Sequence, residues 1–249
     1  MPNSAARQTR FTRAGTGSSS MHFLGTLINA AAVIAGSVVG LFFHARLPKR
    51  LTAIAFQGIG LFTLFIGFTM AAKTKNFVVL IFSIVLGAIS GELLDIDKHL
   101  NRLGEWMKAK LKSGNERFTE GMVTAFLLFC MGSMTVLGAI EEGLGGRPNL
   151  LVAKSVLDGF ASTALAASMG IGVLFSVVPL LLYQGGLTLF AGSLQSVLSN
   201  VVVNEVTAAG GLILIGLGIT ILEIKQLKVL NMLPALVFAG VLAAVFLRG

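Results

Sequence analysis

Charge is scarce in this sequence: acidic and basic side chains make up 12% of 249 residues, about half the share of a soluble globular domain. That scarcity excludes an ordinary water-soluble domain. Cysteine is nearly absent, and the single Cys130 sits in an apolar run, so there is no internal disulfide framework. The three histidines, His22, His44 and His99, stand at the ends of apolar segments. No His-Glu-x-x-His or other paired ligand spacing occurs, so no metal is expected. The Gly-x-Ser-x-Gly element of the α/β-hydrolases is missing, as is a phosphate-binding Gly-x-x-x-x-Gly-Lys-Ser/Thr loop. The chain therefore reads as a non-enzyme without a bound cofactor, and ATP-driven transport by this chain alone is not expected. Short alternating strands are lacking too, which argues against a membrane β-barrel.

What is present is apolar length. Hydrophobic residues reach 55%, mean hydropathy is +0.86, and apolar runs of about 18 or more residues recur. The fold class is all-α: a polytopic transmembrane bundle of seven or eight spans. The net charge of +8 fits basic loops facing cytoplasm and anionic lipid better than nucleic acid.

Residues 1–20, rich in Ser, Arg, Thr and Gly, have no apolar period. They read as a disordered tail, or as an extension upstream of a start at Met21, and lack the apolar core of a signal peptide. Residues 21–249 read as one transmembrane domain. Span 1 is His22–Phe43, with small residues spaced for close packing, including Gly36-x-x-x-Gly40. Spans 2 and 3 are Leu51–Ala72 and Phe77–Leu94. The charged stretch 95–117 places Leu100, Leu103, Met107 and Leu111 on one face beside Trp106, an amphipathic helix expected in the cytoplasmic interface, with a solvated connector as the alternative. Span 4 is Phe118–Ile140 and span 5 is Leu150–Ser168. Span 6, from about Gly170 to Ser199, contains Pro179 and Gly185-Gly186 and is expected to break between them. Spans 7 and 8 are Val206–Leu222 and Val229–Leu247.

Lysine and arginine counts put the loops at 44–50, 95–117 and 223–228 inside, with both termini outside. Gly60-Leu61-Phe-Thr-Leu-Phe-Ile-Gly67-Phe-Thr69 aligns without gaps on Gly211-Leu212-Ile-Leu-Ile-Gly-Leu-Gly218-Ile-Thr220. Spans 1–3 and 6–8 would then be inverted repeats, as in many secondary transporters.

From span 4 onward the ordered motifs become specific: Gly132-Ser133 and Gly138, Glu142-Gly143-Leu144, Lys154-Ser-Val-Leu157-Asp158-Gly159, Gly170-Ile-Gly172, Pro179 and Tyr183-Gln184-Gly185. With Gly25-Thr26-Leu27-Ile28-Asn29 before them and Asn231-Met-Leu-Pro234 after, they resemble the YdfK/YqgA-type bacterial membrane proteins, domain of unknown function 554. The resemblance covers nearly the whole chain from Met21. It implies a multi-pass bacterial inner-membrane protein without established activity, and it supplies no catalytic or ligand residues.

The residues themselves single out Asp158, about 12 Å into span 5 by helical rise. A carboxylate at that depth faces a bundle interior or cavity and is a functional candidate. Ser155 and Ser162 share its face. Lys154, one turn earlier, offers a plain alternative: an ion pair within one helix. Gln184, beside Gly185-Gly186, is a candidate for lining a site. Glu142 flanks a Gly-rich loop and is either a pathway mouth or merely solvated. Asn29, Ser133 and Thr135 are polar groups in apolar spans, for site or interhelical bonding. The expectation is a small secondary transporter or ion-coupled permease for a small solute or ion, with Na⁺ or H⁺ coupling and a homodimer both open. The alternative is a non-transporting membrane scaffold or interaction subunit.

Overall fold

A computed structural model describes residues 23–44, 48–195 and 198–247. The expected tail, the Met21 start, His22 and residues 45–47 of the first basic loop lie outside the described residues. All regular structure among the described residues is helical: α1 Leu24–His44, α2 Lys49–Ala71, α3 Phe77–Leu93, α4 Ile96–Lys110, α5 Phe118–Cys130, α6 Ser133–Gly143, α7 Asn149–Met169, α8 Gly172–Phe175, α9 Val177–Leu189, α10 Ala191–Leu194, α11 Asn200–Ile221 and α12 Ala235–Phe246, with a 3₁₀ turn at Val229–Met232. Six segments are long and apolar enough to cross a membrane. Counting two sharply bent pairs, α3–α4 and α5–α6, as single spans raises the number to eight.

The bundle is built on two glycine-mediated crossings. In α1–α7, a Cβ on Gly36 would lie 2.1 Å from Gly159 O, and one on Gly40 2.3 Å from Thr163 O. Only hydrogen side chains let the backbones approach this closely. The contacts advance together along both chains, so α1 and α7 run parallel. In α2–α11, Gly67 meets Gly211 and Gly60 meets Gly218, with a Cβ on Gly67 2.8 Å from Gly211 O. These contacts run in opposite senses, so the pair is antiparallel. Helix α11 lies at the centre, with 72% of its spanning window buried. Outward faces of α1, α2 and α3 expose Val39, Phe62, Phe65, Ile81 and Phe82 at half or more of their surface, a lipid-facing band no water-soluble monomer carries.

The helix breaks differ from the sequence expectation. Span 6 is interrupted at Ser176, one turn before Pro179, and Gln184-Gly185-Gly186 stay helical. Proline lacks the N–H that would reach the carbonyl four residues back and crowds it, so its damage falls on the turn at Phe175–Ser176. The sharp bends are elsewhere: 60° between α3 and α4, and 66° between α5 and α6. At the second, Gly132 is extended, and the Thr135 hydroxyl donates to the freed Phe129 carbonyl at 2.8 Å. Span 7 starts six residues earlier than expected, because the Ser199 side chain caps α11 by accepting from Val202 N. Helix α4 is amphipathic as read, but Met107 and Leu103 pack on Phe118 and Met122 of the bundle. Trp106 points out with Lys110 Nζ 4.9 Å over its ring.

Candidate functional site

One buried polar network joins α1, α6, α7 and α9. Its anchor is Glu142, in the last turn of α6 and fully buried. The carboxylate meets the start of α1, where the first backbone N–H groups have no partner within the helix. Gly25 N and Thr26 N donate to it, the Thr26 hydroxyl donates at 2.7 Å, and the Thr188 hydroxyl at 3.4 Å. The positive end of the helix dipole adds to this. A buried charge needs such a set of donors, since leaving water otherwise costs far more than any single bond returns.

From Thr26 the network continues inward. Gln184 Nε2 donates to Thr26 Oγ1 at 3.1 Å, and Asn29 Nδ2 donates to Gln184 Oε1 at 3.1 Å. Asn29 also faces the Asp158 carboxylate, while its own Oδ1 has no hydrogen-bond partner. Asp158 accepts from Lys154 Nζ one turn earlier on α7, in a pair whose residues are 7% and 5% exposed. Lys154 Nζ also lies 5.9 Å from the Phe129 ring centroid, beside the α5–α6 break. Three ionisable groups, Glu142, Asp158 and Lys154, and four amide or hydroxyl side chains, Thr26, Thr188, Gln184 and Asn29, thus line up across four helices.

The structure brings together Asn29, Glu142, Gln184 and Asp158 from the sequence candidates. The other four stand apart. Ser155 and Ser162 turn back onto carbonyls of their own helix, at Leu151 and Gly159. Thr135 stitches the α5–α6 break. Ser133 accepts from Lys73 at 3.4 Å. Sequence reasoning missed Thr26 and Thr188, which carry no spacing signal because their partner is over 40 residues away or more. Glu205 falls between spans 6 and 7 as read from the sequence. That residue lies in α11, fully buried, and its carboxylate accepts from Thr74 Oγ1 at 2.7 Å, Lys75 N at 2.6 Å and Asn76 N at 3.2 Å. Its signal was the Ser199 cap, which starts the helix before it.

At the far end of the bundle, Asn231 ties the 3₁₀ turn to α3 and α4, donating to Glu92 and accepting from Asp97 N. Lys228 donates to Glu92, and that hydrogen bond holds the exposed ammonium above its ordinary pKa. Among the described residues no cluster of three or more His, Cys, Asp or Glu converges as a metal site would.

Comparison with known proteins gives the same answer from two sides. The family profile described as "Protein of unknown function (DUF554)" matches residues 24–244. The chain is 31% identical over 221 residues to the "Uncharacterized membrane protein YdfK" of Bacillus subtilis (strain 168), covering 87% of this chain and 94% of that protein. It is 34% identical over 226 residues to the "Uncharacterized protein YqgA" of Escherichia coli (strain K12), covering 89% and 96%. No solved structure matches.

Proposed function

This chain belongs to the DUF554 family of unknown function, and on that premise we propose that it is a small ion-coupled permease of the bacterial inner membrane. The observation that carries the reading is the polar line from Glu142 through Thr26, Gln184 and Asn29 to Asp158–Lys154. Carboxylates strung on hydrogen-bonding side chains inside a membrane bundle are the usual material of proton relays and cation sites. Three further features support it. The line runs beside a span broken at Met131–Gly132. The unpartnered Asn29 Oδ1 is an acceptor free for a proton-bearing group or a Na⁺. The aligned glycines of spans 2 and 7 meet reciprocally, Gly60 with Gly218 and Gly67 with Gly211, as a two-fold axis in the membrane plane would arrange them.

A second reading, a non-transporting scaffold, is favoured by one observation: Asp158 and Lys154 are buried and paired with each other within one helix. Thermal unfolding of the purified protein across Na⁺ concentration and pH separates the two. A permease with its coupling site here is stabilised by Na⁺ or by protonation, and Asp158→Asn abolishes that response. If wild type and variant respond alike, Asp158 is no coupling site and the scaffold stands.

A further inference from the structure

A different cavity lies at the end of the bundle away from Glu142, where α4, the start of α5 and the end of α11 meet. Asp97, Asn101 and Glu105 recur at four-residue spacing on α4. Glu116, Glu120 and Thr124 recur at the same spacing into α5. Both rows line one cavity of about 440 Å³, within the size range of small-molecule sites. The lysines of α4 lie off this face, and the basic residue in the lining, Lys228, is already paired with Glu92. In a chain of net charge +8, four carboxylates around one cavity form a local field of opposite sign.

Thr124 supplies the independent observation. It is fully buried, it lines the cavity, and its hydroxyl has no partner. Thr63, Thr163, Thr207 and Thr220 all donate to the carbonyl one turn back, and Thr124 does not. An orphaned buried hydroxyl costs stability, so its presence at the membrane-ward end of an acidic cavity points to a ligand that satisfies it. The existing bonds in the cavity are light: Glu105 accepts from Thr119 at 2.7 Å, Asp97 from Asn101 at 3.0 Å, and Glu120 lies 4.0 Å from Arg117.

The carboxylates do not converge, since no three acidic, imidazole or thiol groups among the described residues form a metal cluster. On α4 Asp97 and Glu105 stand about 12 Å apart with the Asn101 amide between them, Glu116 precedes Glu120 by four residues at the start of α5, and between the two rows the wall is apolar: Val123, Leu217, Leu227 and Leu230. A point cation uses neither feature. We propose that the cavity binds an aliphatic di- or polyamine, its ammonium groups on Asp97, Glu105, Glu116 and Glu120, its methylenes on the apolar wall and its innermost N–H on Thr124 Oγ1. This site stands on its own residues, whether or not the chain transports.

The test is calorimetric titration of the full chain in lipid nanodiscs with spermidine, beside 1,4-butanediol and MgCl₂. Spermidine binds saturably and the diol does not. Glu120→Gln weakens binding about 10-fold, the loss of one charge-assisted bond. Thr124→Val weakens it several-fold, and Thr124→Ser restores it, which guards against a variant that merely misfolds. Glu223→Gln, a surface carboxylate outside the cavity, leaves it unchanged. Absence of saturable spermidine binding overturns the proposal. So does an equal loss in Glu223→Gln, which marks bulk attraction, or full displacement by equimolar MgCl₂, which marks a simple cation site.

Discussion

Replacing Glu142 with alanine isolates what its carboxylate does for the start of α1. Gly25 N and Thr26 N lose their acceptor in a place water does not reach, as Glu142 is fully buried and Thr26 is 1% exposed. Each buried N–H left alone costs about 1–3 kcal/mol. The buried Thr26 hydroxyl loses its acceptor as well, at a similar cost, whereas the Thr188 hydroxyl keeps its bond to Gln184 O and adds little. Loss of the favourable charge at the helix N-terminus contributes about 0.3–2 kcal/mol. At the middle of these ranges the substitution costs about 7 kcal/mol, which at roughly 2–4 °C per kcal/mol for a domain of this size lowers the unfolding midpoint by about 14–28 °C. Glu142→Gln retains an acceptor oxygen and loses the charge, so its drop is about half as large. The protein supplies its own reporter: its one cysteine, Cys130, is fully buried, so a thiol-reactive fluorogenic dye reads unfolding in detergent. An alanine variant that melts within about 3 °C of wild type, under 2 kcal/mol by the same scale, refutes the anchoring argument. So does a glutamine variant that melts below the alanine one.

Two further pairs of substitutions probe the frame. Gly36→Val forces a side chain into Gly159 O and Ser162 Oγ, both within 2.2 Å of its Cβ, and should prevent folding or lower the midpoint by more than 10 °C, about 3 kcal/mol or more; Gly58→Ala, where a Cβ meets nothing within 4 Å, should be neutral or stabilise by up to about 1 kcal/mol, and the same melt distinguishes them. Thr135→Val orphans the Phe129 carbonyl at the α5–α6 bend and should cost about 1–3 kcal/mol, with Thr135→Ser recovering most of it in the same assay.

How far the sequence reaches depends on the range of the interaction. Span ends set by local chemistry were legible: α3 starts at Phe77 because the Asn76 side chain accepts from Val78 N and Val79 N. The Lys154–Asp158 pair was legible because it lies within one turn. The bend at Met131–Gly132 was not. Glycine there is extended with no steric demand, and the bond that stabilises the turn comes from a threonine which reads as ordinary span. The Pro179 break was misplaced by one turn, since proline disrupts the residues before it. What Glu142 and Glu205 hold was not legible, because their partners, Gly25, Thr26 and Thr74–Asn76, lie more than 100 residues away in sequence, beyond any periodicity argument. Both carboxylates do the same thing: each reaches across the fold to hold backbone N–H groups at the start of, or the turn before, another helix.

That reach has a consequence in time. Gly25 and Glu142 are 117 residues apart in the chain, so at about 5–20 residues per second the ribosome delivers the acceptor about 6–23 s after the donor. For that interval α1 sits in the bilayer or its insertion machinery without the partner for its leading N–H groups, and without α7, whose glycine seam it fits. Helix α1, made well before its partners, is thus among the last to be secured, and holding it meanwhile falls to the membrane and the translocon rather than to the protein itself.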